Sequence, residues 1–282
     1  MTEASQFCSV DQLESHIKLG EVKVLDCSWY LPSQSINAEN QFKQQHIPGA
    51  QFFHIDLICE QNSKLPHMLP NADDFSQAVG KLGISNDSHI VVYDSSGLFS
   101  AARVWWTFKV FGHQNVQVLD GGLPAWSALG RVLESKTRPV IETDYVATLN
   151  SEFVINKHEL IENISSKRYR VLDARSIERF WGQAPEPRAG LPSGHMPESI
   201  CMSFASLIEN GRLKSRQQLQ VLFDQAGINR STEIVTSCGS GVTAAIITLA
   251  LVECDYGINR LYDGSWSEWA SADDTVILNR SL

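Results

Sequence analysis

Glu233-Ile234-Val235-Thr236-Ser237-Cys238-Gly239-Ser240-Gly241-Val242-Thr243-Ala244 runs from a β-branched stretch through a turn of small residues into an apolar segment that continues to Val252. β-Branched residues favour a pleated strand, Gly-Ser-Gly interrupts it, and the alanine- and leucine-rich run that follows favours helix. A buried strand that turns directly into a helix is the unit of a parallel α/β sheet, which binds its ligands outside the carboxyl ends of the strands. The apolar run Val242–Val252 has 11 residues, short of the roughly 18 to 20 needed to span a bilayer. It reads as buried helix, and no membrane association is expected.

The same plan occurs twice. Val24-Leu25-Asp26 recurs as Val171-Leu172-Asp173, His46-Ile47-Pro48 as His195-Met196-Pro197, Ile90-Val91-Val92 as Ile234-Val235-Thr236, and Asp120-Gly121 with Trp126 as Asp263-Gly264 with Trp269. All four pairs keep one order at a separation of about 145 residues, the mark of a duplicated unit. Short β-branched runs alternate with helical patterns in each half, Ala101–Val110 and Thr243–Val252 among the helices, with Asp11 and Asn156 as N-caps. Residues 131–150 are polar, contain Pro139 and lack apolar periodicity, so they read as a linker, with the boundary near residue 140.

A length of 282 residues suits two domains at about 150 residues each. The composition, 43% hydrophobic and 20% charged, is that of a globular protein. A net charge of -9 gives no general attraction for polyphosphate, so nucleic acid is not an expected partner. The six cysteines, at 8, 27, 59, 201, 238 and 254, include no C-x-x-C pair. They imply a reducing compartment and no structural zinc. The first residues have neither a basic nor an apolar leader region, so a cytoplasmic location is expected.

Three chemistries compete for the turn at 237–244. A phosphatase loop needs an arginine six positions after the cysteine, and that position is Ala244. Gly239-x-Gly241-x-x-Ala244, with Asp263 further on, fits a relaxed dinucleotide fingerprint, but too little chain follows to build a second mononucleotide half. In the third reading Cys238 is a nucleophile, emerging where strand becomes helix, among backbone N–H groups that Gly239 and Gly241 leave accessible. Such a cradle stabilises an anion and favours the thiolate. The plain alternative, a buried structural cysteine, is weakened by the repeat. The matching turn, Asp94-Ser95-Ser96-Gly97, keeps the architecture and replaces Cys by Asp.

With Cys238-Gly239-Ser240-Gly241-Val242-Thr243-Ala244 after a parallel strand, Gly194-His195-Met196-Pro197 upstream and two similar halves, nearly the whole chain resembles the two-domain rhodanese family. The loop is similar to that of its 3-mercaptopyruvate sulfurtransferase members. The resemblance implies an α/β protein of two tandem rhodanese-like domains, each a mostly parallel sheet with helices on both faces. Residues 1–140 would be catalytically silent and contribute to an interdomain site, and residues 141–282 would carry the Cys238 loop. It implies transfer of sulfane sulfur from 3-mercaptopyruvate, through a Cys238 persulfide, to an acceptor thiol (thioredoxin or a small thiol) or cyanide, with release of pyruvate and no cofactor. Thiosulfate is the alternative donor, although thiosulfate-using members carry basic residues where this chain has Gly239 and Ser240. A non-catalytic persulfide carrier is a further alternative on the same fold.

By the same resemblance, the N–H groups of Gly239, Ser240, Gly241, Val242 and Thr243 would hold the thiolate and persulfide, and Arg179 and Arg188 would bind the donor's carboxylate and carbonyl. Asp56, His67 and Ser240 would form a proton relay. Without that likeness, both arginines read as solvated or paired with Glu178 and Glu186, and His67 reads as a loop histidine with His54 as its rival. Asp26, Asp173, His46, His195, Trp126 and Trp269 occur in both halves, so they read as turn-forming and core residues. Cys254 lies about 16 Å along a helix from Cys238, too far for a disulfide. The chain departs from the family pattern at Glu198-Ser199, where Gly-Ala is usual and the first half has Gly49-Ala50. A turn needing positive φ there would strain Glu198.

Overall fold

A computed structural model describes residues 5–257 and 259–279. The chain forms two compact units. The first takes the chain up to Asn62, then Leu69–Asn150 and Asn210–Leu213; the second takes Ser63–Met68, Ser151–Glu209 and the chain from Lys214 onward. The first unit thus reaches Asn150, beyond the residue near 140 to which the polar linker composition points. Backbone pairing is the reason: Thr143 N donates to Gly80 O at 3.0 Å, Thr148 N to Phe111 O at 3.2 Å and Asn150 N to Val110 O at 2.8 Å. A polar segment satisfied in this way belongs to the body it bonds to.

Each unit is built on a five-stranded, all-parallel sheet flanked by helices. In the first, the order across the sheet is Phe7–Cys8, Val116–Leu119, Ile90–Tyr93, Lys23–Asp26, Gln51–Phe52. In the second it is Val154–Ile155, Arg260–Tyr262, Ile234–Ser237, Arg170–Asp173, Ser199–Cys201. The order is the same, and the strands that precede the two turns, Ile90–Tyr93 and Ile234–Ser237, lie at the centre of their sheets and are buried throughout. That burial explains why they read as apolar or β-branched runs rather than as alternating patterns.

The following helices, Ala101–Val110 and Ala244–Glu253, are buried on all sides apart from Glu253, so neither shows a polar stripe. Thr243 is the N-cap of the second rather than its first residue. Asn156 caps the helix Lys157–Ser166 with a capping box to Glu159. At the N-terminus, however, Ser9 and not Asp11 is the cap: its hydroxyl accepts from Gln12 N at 3.2 Å and Gln12 returns the bond. Asp11 lies in the first turn, where a carboxylate complements the helix dipole.

The duplicated histidines and tryptophans are built into the packing of each unit. His46 bonds Phe42 O at 2.7 Å and stacks on the Phe42 ring, and His195 does the same to Phe180 at 3.0 Å. Trp126 and Trp269 are buried and donate to Val132 O and Val276 O. Glu198 has φ 61° where its counterpart Gly49 has φ 80°. The strain expected at that turn is present. Among the described residues no helix is long and apolar enough to cross a membrane.

Candidate active site

Cys238 opens the loop between the strand Ile234–Ser237 and the helix Ala244–Glu253, and is 2% exposed. Its amide donates to Ser265 Oγ at 3.2 Å, and that hydroxyl donates to Tyr262 O at 2.8 Å. The Cys238 carbonyl accepts from Trp266 N at 2.9 Å, and the Gly239 carbonyl accepts from Ser267 N at 3.0 Å and Ser267 Oγ at 2.6 Å. Both carbonyls are therefore held by the short helix Ser265–Trp269, which fixes the loop. Gly241 has φ 76°, a conformation glycine adopts without steric penalty.

Two arginines flank the loop. A Cβ built on Gly239 would lie 3.1 Å from Arg179 Nη2 and 3.9 Å from Arg188 Nη1. Glycine at this position admits both guanidinium groups beside the residue that follows Cys238. Arg179 comes from the helical turn Ile177–Phe180, capped by Ser176. It is not merely solvated: Glu186 accepts from its Nε at 3.2 Å and from its Nη2.

Ser240 is buried, and its Oγ is 3.1 Å from His67 Nδ1. His67 reaches it because Ser63–Met68, although early in the sequence, packs as part of the second unit. The histidine is 4% exposed and has φ 62°. A left-handed non-glycine residue costs about 1–2 kcal/mol, and such strain persists where the surroundings impose it, commonly at functional sites. Its rival His54 lies in the first unit, edge-on to Phe52 at 5.6 Å. Asp56 is also in the first unit, exposed, and its two oxygens accept from Trp29 Nε1 at 3.1 Å each. Cys238, Ser240, His67, Arg179 and Arg188 are thus assembled around one loop, while Asp56 belongs to the other unit.

Residues 9–129 and 156–272 match the model of the rhodanese-like domain. This chain belongs to the rhodanese family. It is 41% identical to thiosulfate/3-mercaptopyruvate sulfurtransferase 2 of Arabidopsis thaliana, over 97% of this chain and 86% of that protein. It is also 41% identical to the 3-mercaptopyruvate sulfurtransferase of Rattus norvegicus, over 88% of this chain and 84% of that one. Among solved structures, SseA from Escherichia coli, described with the rhodanese fold and the catalytic mechanism of 3-mercaptopyruvate sulfotransferases, superposes with a TM-score of 0.86. It is 34% identical, over 93% of this chain and 99% of that one.

The second rhodanese unit holds one further charged group beside this site, which no local sequence pattern marks. Arg175 is completely buried, donates to Asp173 from Nη2 at 2.7 Å and to Glu186 from Nη1 at 2.7 Å, and lies 4.0 Å over the Trp266 ring. Burial works against its charge, and the two carboxylates together outweigh that cost. The repeat held the signal: the first rhodanese unit has Ser28 at the matching position. Burial pushes the thiol of Cys8 up to about 11 and that of Cys201 up to about 12, and raises those of Cys27 and Cys254; these four are held as neutral thiols. Asp263, which a dinucleotide reading would need at a ribose, is 4% exposed. Among the described residues no group of three or more His, Cys, Asp or Glu side chains is placed to hold a metal ion.

Proposed function

We propose that this protein is a sulfurtransferase that takes sulfur from 3-mercaptopyruvate onto Cys238 and passes it to an acceptor thiol, thioredoxin or a small thiol, or to cyanide. One observation carries the donor assignment: two guanidinium groups stand at the residue after the nucleophile, where they meet an α-keto acid's carboxylate and carbonyl with planar, forked donors. The Cys238 thiolate attacks the donor sulfur, the C–S bond breaks, and its electron pair passes into the enolate of pyruvate. The proton leaves the donor thiol and reaches the enolate carbon through Ser240 and His67. The products are pyruvate and a Cys238 persulfide anion. Loop amides stabilise that anion without having to reorganise. Cyanide or a thiolate then attacks the outer sulfur and restores Cys238.

Because the Arabidopsis relative is named for both donors, thiosulfate is retained as a slower second donor. Rates with both donors and cyanide as acceptor test the reading. kcat/KM for 3-mercaptopyruvate should exceed that for thiosulfate by about tenfold or more, and Cys238→Ser should abolish both. The reverse preference defeats the donor assignment. Mass spectrometry separates enzyme from carrier: a sulfur adduct on Cys238 with a single equivalent of pyruvate and no turnover would indicate a carrier. A cytoplasmic location completes the proposal, and subcellular fractionation tests it.

A further inference from the structure

Arg179 is the end of a chain of alternating charges. Asp173, at the end of the strand Arg170–Asp173, accepts from Arg175 Nε at 3.1 Å on both oxygens and from Nη2 at 2.7 Å. Arg175 donates onward to Glu186 Oε1, and Glu186 Oε2 accepts from Arg179. The Asp173 and Arg175 side chains are fully buried and Glu186 is 2% exposed, whereas Arg179 keeps 22% of its surface. The arrangement anchors Arg179 to the sheet and brings its charge to the loop beside Gly239 and Arg188.

Two guanidinium groups, 175 and 179, bond two carboxylates, 173 and 186, so this network carries no net formal charge. We infer that Glu186 is a specificity residue: by cancelling one guanidinium charge beside the loop it disfavours a dianion relative to a monoanion. The inference rests on the sulfurtransferase reading for its biological meaning, but its physics depends only on charge. One additional positive charge attracts a dianion twice as strongly as a monoanion at the same distance. Removing the Glu186 charge therefore benefits thiosulfate or sulfate more than mercaptopyruvate or pyruvate. Glu186 is a positioning residue for Arg179 as well, so absolute rates with either donor are expected to fall when it is changed. The ratio between the donors reports the charge.

The test is calorimetric binding of sulfate and pyruvate, paired with kcat/KM for thiosulfate and 3-mercaptopyruvate, in the whole protein and in Glu186→Gln and Glu186→Asp. Glu186→Gln should shift both ratios toward the dianion by about tenfold, while Glu186→Asp, which keeps the charge, should leave them within about twofold of the parent. Arg179→Gln, at a partly exposed side chain, should shift the ratios the other way and supplies the test if Glu186→Gln does not fold. Unchanged ratios in Glu186→Gln, or a shift toward the dianion in Arg179→Gln, overturn the inference. An unmodified protein that turns over neither donor defeats the sulfurtransferase reading alone, since the sulfate-to-pyruvate binding ratio still decides the role of Glu186.

Discussion

In the first unit, the turn after Ile90–Tyr93 is filled by its own side chain. Asp94 Oδ2 accepts from the amides of Phe99, Ser100 and Ala101 at 2.7, 2.9 and 2.9 Å, and Oδ1 accepts from Ser96 N at 2.9 Å. In the second, Cys238 takes the place of Asp94; its amide is occupied by Ser265 and its carbonyl by Trp266. The strand-to-helix turn is an anion cradle by construction, because successive N–H groups converge where a helix begins. A carboxylate built into the chain neutralises that cradle permanently. With cysteine there, the proposed reaction has that cradle to stabilise the sulfur anion it forms.

Exchanging the two residues is the strongest way to break this comparison. Cys238→Asp should eliminate turnover with both donors. Asp94→Cys in a Cys238→Ser background should restore none, because Ser95 and Ser28, which bond each other at 2.8 Å, occupy the positions of Gly239 and Arg175. Turnover by that double variant would show that the cradle alone suffices.

The acids at the ends of the neighbouring strands sharpen the contrast. Asp173 is paired with a buried arginine, so Asp173→Asn, by leaving Arg175 short of charge, should cost about 3–5 kcal/mol in denaturant unfolding. Among the described residues Asp26 has no arginine partner. Burial raises its pKa above the ordinary carboxylate range, against the opposing effect of the Ser28 bonds. Its native form therefore binds a proton more tightly than the unfolded chain does, and the stability linked to that proton is lost as pH rises through the native pKa. Asp26→Asn should stabilise the protein at neutral pH, with the gain vanishing below the ordinary carboxylate range. A loss of stability at neutral pH would refute the assignment. The smallest effect is expected at the two turns after His-x-Pro. Glu198→Gly should relieve left-handed strain and raise stability by up to about 1 kcal/mol, less a small loss from the exposed Lys167–Glu198 pair at 3.1 Å. Gly49→Glu should do the reverse.

The architecture was legible in the residue order because it depends on local patterns: apolar runs of strand length, small residues in the turns, and a repeat that places both turns at the same point of the same topology. Cys238 was legible for the same reason, since its neighbours in sequence are its neighbours in space. Asp11 is not the cap because Ser9 and Gln12 satisfy each other's backbone donors first, a pattern that is itself present in the sequence. Other features depended on tertiary packing. Ser240 meets a histidine 173 positions earlier, and Arg175 becomes a buried charge only once Asp173, Glu186 and Trp266 close around it; the Arg179–Glu186 pair, seven positions apart, was among the readings open to the sequence. A buried guanidinium and an exposed one are the same letter in a sequence. Tertiary packing determines which charges lose their water, and thereby the electrostatics of the loop.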